Sequence, residues 1–188
     1  MKIDELSIPG VFSIAWDRHT DERGFFQRVL CVQTLEELGL VSEFTQHSIS
    51  FNTHSGTLRG MHLQLPPHAE TKLVTCIAGK VLDVIVDVRP DSPGFGEYCS
   101  VTLDSRSPGA VYIPAGCAHG FVTVSDNSML LYAIDVPFAP DASTGFHYAD
   151  PAVSINWSHP VLTVSDADAA LAGFDGLSDL YTNSLDRQ

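Results

Sequence analysis

Between residues 81 and 89 the chain alternates, with Leu82, Val84, Val86 and Val88 on one side and Val81, Asp83, Ile85 and Asp87 on the other. A period of two is the signature of a strand, and apolar residues on both sides mark one buried on both faces. Similar runs over 44–51, 57–65, 72–78, 98–103, 110–113, 120–124 and 129–136 are separated by Gly, Pro, Asp and Ser. Many short strands with little helix between them predict an antiparallel sandwich or barrel. Helix is predicted in two places. Thr34 and Glu37 have capping-box spacing ahead of Gly39, giving a helix over about 34–40, and Ser165 and Asp168 repeat that spacing before an alanine-rich stretch at 167–172. There is no internal repeat or linker, so residues 1–188 read as one domain, ending in a polar, acidic and loose tail over about 174–188.

Composition changes this picture in one respect. A content of 44% hydrophobic and 18% charged residues is ordinary for a globular protein, but 10 Lys and Arg stand against 23 Asp and Glu, a net charge of −13. Such a field repels nucleic acid and anionic membranes, and it opposes an anionic substrate unless the few cations gather in one pocket. Cys31, Cys76, Cys99 and Cys117 form no CxxC pair and read as reduced thiols. The first residues have neither the basic start nor the apolar run of a secretory signal, and no stretch is long enough to span a bilayer. A cytoplasmic protein that binds neither nucleic acid nor membrane is expected.

Two segments concentrate chemistry. The stretch from Gly56 to Lys72 places Arg59, His62 and Gln64 on a core strand and Lys72 at the head of the next. Strict alternation would put Arg59 on the opposite face from His62 and Gln64, so a bulge at Gly60 is predicted. The second segment, Pro114-x-Gly116-x-x-His119, sits at a strand–turn–strand junction and resembles the second motif of cupin barrels. The first cupin motif supplies His-x-His as metal ligands, whereas this chain reads His62-x-Gln64, so no resident metal is expected. A metal reading would have to use His62, His119 and either His68 or Glu70.

Taken with Asp21-Glu-Arg-Gly-Phe-Phe26, Lys72-Leu-Val, Asp83-Val-x-Val-Asp-Val-Arg89, Ser92-Pro-x-Phe-Gly96 and the run through Phe121, these segments resemble the dTDP-4-dehydrorhamnose 3,5-epimerase family over about residues 8–170. The resemblance implies an all-β, cupin-type jelly roll, active as a homodimer on a nucleotide-diphosphate sugar without metal or organic cofactor. It implies His62 as the base that removes a proton beside a 4-keto group, and Asp168 as the residue orienting that imidazole, where helix capping alone is the competing reading. Lys72 would stabilise the enolate oxygen, and Tyr132 would return a proton from the opposite face. Arg59 and Arg23 would hold the diphosphate, and Phe26 and Gln46 would contact the nucleotide. Gln64 and His119 would complete the substrate site, with Asp83 pairing with Lys72 across adjacent strands.

The chain departs from the family pattern at Arg28, Ser48, Glu70, Ala133 and Phe138. These departures leave His62, Lys72 and Tyr132 in place but leave the hexose, the nucleotide and the number of inverted centres open. An epimerase acting at one centre only, a metal-dependent cupin oxygenase and a non-catalytic sugar-binding cupin are the competing readings.

Overall fold

The computed structural model describes residues 1–107 and 109–185. Two antiparallel sheets face each other. One has six strands in the order β1 (Lys2–Glu5), β2 (Phe12–Ala15), β10 (Ala110–Ile113), β7 (Lys72–Ala78), β12 (Ser128–Ile134) and β5 (Gln46–Asn52). The other has five, in the order β13 (Ser143–Gly145), β6 (Leu58–Gln64), β11 (Cys117–Thr123), β8 (Lys80–Asp87) and β9 (Tyr98–Asp104). Strands β3 (Arg18–Asp21) and β4 (Gly24–Gln27) form a separate hairpin. Apart from the consecutive pairs β1–β2 and β8–β9, neighbouring strands in each sheet are distant in sequence, the crossing pattern of a jelly roll.

The alternation along β8 sorts its side chains as predicted. Val81 and Ile85 pack between the sheets with Val74, Leu130 and Phe121. Leu82, Val84 and Val86 face outward, under a cover that includes Phe146, Trp157 and α3 (Phe174–Leu185). That helix corrects the expectation of a loose tail: Phe174, Leu177 and Tyr181 are buried on one face, each contributing about 1.5–3 kcal/mol of burial. The outer face of the six-stranded sheet is covered in part by α1 (Val32–Glu37) through Leu35. Helix α1 begins two residues earlier than predicted, with Cys31 at its N-cap and no side-chain cap, so the Thr34 capping box is not used.

The predicted bulge is present. His62 pairs with His119 and Arg59 with Phe121, so Gly60 and Met61 together stand opposite Gly120. Gly60 has a φ of 135°, and a Cβ there would lie 2.5 Å from the Gly120 Cα, so only glycine fits this approach of two backbones. The extra residue turns Arg59 to the same side as His62.

Candidate active site

A cleft of about 430 Å³ opens between the two sheets, large enough for a small ligand. Arg59 and His62 reach it from β6 and His119 from β11, while Lys72 and Tyr132 reach it from β7 and β12 on the facing sheet. Glu70 and Phe138 come from connecting loops, and Asp168 from the one-turn α2 (Asp166–Ala169). Thus His62 and Tyr132 stand on opposite walls of one space.

His62 Nε2 lies 2.8 Å from Asp168 Oδ1, with the carboxylate largely buried and the imidazole half-exposed toward the cleft. Asp168 Oδ2 accepts the Gly60 N–H at 3.2 Å. The Ser165 hydroxyl accepts the Asp168 N–H at 3.1 Å, so the serine caps α2 while the aspartate side chain is free to hold the histidine. A carboxylate against one ring nitrogen fixes the orientation of the imidazole.

Lys72 is 7% exposed, and its Nζ lies 3.0 Å from Glu70 Oε1. The predicted Lys72–Asp83 pair is not formed. Asp83 lies on β8 in the opposite sheet, where its Oδ2 meets His119 Nε2 at 2.8 Å in a fully buried pair. The His119 ring stands edge-on to Tyr132, with centroids 5.9 Å apart. Burial pushes the Tyr132 phenol well above the usual tyrosine range; the Asp83 charge adds to this, and Arg59 opposes it. Tyr132 therefore carries its proton throughout the neutral range. Arg59 is steered by a 2.8 Å bond from its Nε to Asn52 Oδ1.

Of the other predicted contacts, Gln64 faces away from any ligand. It is 1% exposed, its Oε1 accepts the Ala139 N–H and its Nε2 donates to the His68 carbonyl, so it ties two loops together instead of binding substrate. Gln46 accepts the Phe138 N–H at 2.9 Å and shapes the cleft wall indirectly. Arg23 and Phe26 lie on the β3–β4 hairpin, exposed and outside the cleft, with Arg23 paired to Asp21. Arg28 is likewise on the surface beside that hairpin. Sequence reading did not anticipate Glu70 as a partner of Lys72. The Glu-x-Lys spacing, which puts both side chains on one side of an extended backbone, was the available signal. Among the described residues no three His, Cys, Asp or Glu side chains converge as a metal site, and His68 lines a different cleft from His62 and His119.

The dTDP-4-dehydrorhamnose 3,5-epimerase family model matches residues 5–175. This chain belongs to that family. The Mycobacterium tuberculosis dTDP-4-dehydrorhamnose 3,5-epimerase is 35% identical over 93% of this chain and 88% of its own length. The Streptomyces niveus dTDP-4-dehydrorhamnose 3-epimerase is also 35% identical, over 91% of this chain and 84% of its own. The solved structure of the Legionella pneumophila 3,5-epimerase RmlC in complex with dTDP-4-keto-L-rhamnose superposes with a TM-score of 0.88 at 34% identity, covering 93% of each chain. Membership makes the chain an isomerase of the epimerase class with the cupin-like jelly roll of its relatives.

Proposed function

We propose that the protein inverts C3 and C5 of a dTDP-linked 4-keto-6-deoxyhexose. The observation that carries this reading is the placement of an Asp-held imidazole, His62, and a protonated phenol, Tyr132, on opposite walls of one cleft. His62 takes the proton from the carbon beside the ketone, and the C–H electrons move into an enolate whose oxygen is met by the Lys72 ammonium. Tyr132 gives its proton to the other face of that carbon, and the phenolate left behind is stabilised by Arg59 before solvent restores both groups. Repeating the sequence at the second carbon flanking the ketone inverts the other centre.

Arg59 supplies one cation for the diphosphate. Arg23 and Phe26 complete the nucleotide site in this reading only from a second copy of the chain, because they stand outside their own cleft. A homodimer is further supported by the six-stranded sheet, where Ile49, Phe51 and Ile77 are 61%, 49% and 40% exposed. Four cysteines with no disulfide among them fit a cytoplasmic location. One observation favours a second reading: the Streptomyces niveus 3-epimerase is as similar to this chain as the Mycobacterium tuberculosis 3,5-epimerase. Proton NMR of dTDP-4-keto-6-deoxyglucose with the protein in heavy water separates the two. Deuterium at C3 and C5 is expected, deuterium at C3 alone would mean a single-centre enzyme, and no exchange would sink both.

A further inference from the structure

The ammonium at the heart of the cleft lies against a carboxylate whose chain neighbours are tied down on both sides. Glu70 Oε1 is 3.0 Å from Lys72 Nζ, and the two side chains are 11% and 8% exposed. The short segment carrying Glu70 is fixed on both sides. The His68 N–H donates to the Leu65 carbonyl at 3.0 Å, the His68 carbonyl accepts from Gln64 Nε2 at 3.0 Å, and the Thr71 N–H donates to Asp135 Oδ1 at 2.7 Å. Gln64 in turn is nearly sealed from solvent. The backbone that carries Glu70 is therefore fixed at the cleft wall, and the long flexible stem of Lys72 ends against the Glu70 carboxylate.

The other charged groups of the cleft have different partners. Asp168 holds His62, Asp83 holds His119, and the Arg59 guanidinium is tied to Asn52. Glu70 is thus the carboxylate set against the cleft's primary amine. A lysine side chain has several rotatable bonds to order, and one whose ammonium must meet a developing negative charge is more effective if that ordering precedes substrate binding. A nearby carboxylate has an opposing effect, because its own negative charge repels an enolate. Position and charge of Glu70 therefore act in opposite directions, and they can be separated by substitution.

We propose that Glu70 is a positioning residue that holds the Lys72 ammonium at one point in the cleft before the substrate arrives. The kinetic part of this inference rests on the epimerase reading, while the structural part does not. Glu70→Gln keeps an acceptor oxygen but removes the charge, and Glu70→Ala removes both. With dTDP-4-keto-6-deoxyglucose, Glu70→Ala should lower kcat about tenfold to a hundredfold and change KM less than about threefold, as for a misplaced catalytic group. Glu70→Gln should recover most of kcat.

A measurement without substrate accompanies the kinetics. The chain has only three lysines, Lys2, Lys72 and Lys80, so carbon-13 labelling of lysine gives three Cε signals, with that of Lys72 assigned by its disappearance in Lys72→Arg. In the native protein the Lys72 Cε should be ordered well beyond the exposed Lys2; in Glu70→Ala it should become mobile, and in Glu70→Gln it should stay ordered. An unchanged Lys72 signal in a folded Glu70→Ala protein would overturn the inference, as would a failure of glutamine to restore order. Should the native protein exchange no sugar proton, the epimerase reading falls, and the lysine signals still decide whether Glu70 positions Lys72.

Discussion

Asp168 stands three residues after Ser165, the spacing at which an acidic side chain turns back to cap its own helix. Its carboxylate instead spans to β6, meeting His62 and accepting the Gly60 N–H, while the cap of α2 is the Ser165 hydroxyl. Asp168→Asn should cut kcat by a hundredfold or more while KM changes little, since an amide neither fixes the working tautomer nor supports the imidazolium; steady-state kinetics checks this. Tyr132→Phe should separate the two half-reactions. Deuterium from solvent should still enter the sugar through His62, but with retained configuration, because no donor remains on the opposite wall. NMR coupling constants of the labelled product distinguish retention from inversion. His62, Lys72, Tyr132 and Arg59 were legible because polar side chains on core strands demand a reason. Gln64 was misread because alternation places it with His62, and alternation does not say whether a side chain ends on a ligand or on the protein's own loops.

At the level of elements, the bulge in β6 was foreseeable from the conflict between Arg59 and His62 and the glycine between them. Gly60→Ala forces a side chain into a left-handed backbone site and against Gly120, so a stability loss of more than about 2 kcal/mol is expected, measurable by urea unfolding. The residual folded protein should bind nucleotide poorly, because Arg59 and His62 no longer share a face. Strands β1 to β4 went unseen: each has four residues, with mixed or exposed faces that leave no alternation to read. Helix α3 was overlooked because Asp, Gly, Ser, Thr and Asn fill seven of its twelve positions, although Phe174, Leu177 and Tyr181 already had helical spacing. Two carboxylates at the ends of β8 and β9, Asp87 and Asp104, bear on the acid stability of the fold. Burial of Asp87 favours the neutral acid, but bonds from Arg89 and Ser92 outweigh it and hold the carboxyl below its ordinary value. Bonds from the Arg106 side chain and backbone hold Asp104 at about 2. Both groups are more acidic folded than unfolded, so their stabilisation is present above the ordinary carboxylate value of about 4 and is lost as pH falls below it, for Asp104 as pH approaches about 2. The urea midpoint should decline across that window, and Asp104→Asn should flatten part of the decline.

For the whole molecule, a net charge of −13 and a cleft that must attract a diphosphate pull in opposite directions. The fold answers by setting Arg59 and Lys72 on facing sheets around one space, while Asp83 and Asp168 are each held by a histidine. What a single chain does not bring to that space is Arg23 and Phe26. In the proposed dimer they reach a cleft only from a second copy, a placement that depends on packing between chains and not on the pattern along one chain. If the hairpin of one copy completes the cleft of another, two damaged proteins should repair each other. A His62→Asn chain has a sound hairpin and a dead cleft, and an Arg23→Ala chain has a sound cleft and a weakened hairpin. In a mixed dimer one of the two sites combines both defects, and the other combines the His62 of one chain with the Arg23 of its partner. Mixing the two inactive or weak variants under conditions that allow subunit exchange should therefore restore activity above the sum of the separate proteins, approaching about a quarter of native activity if dimers form at random. Activity equal to the simple sum, together with a monomer in sedimentation, would place the whole site within one chain and leave the exposed aromatic hairpin without a role in binding.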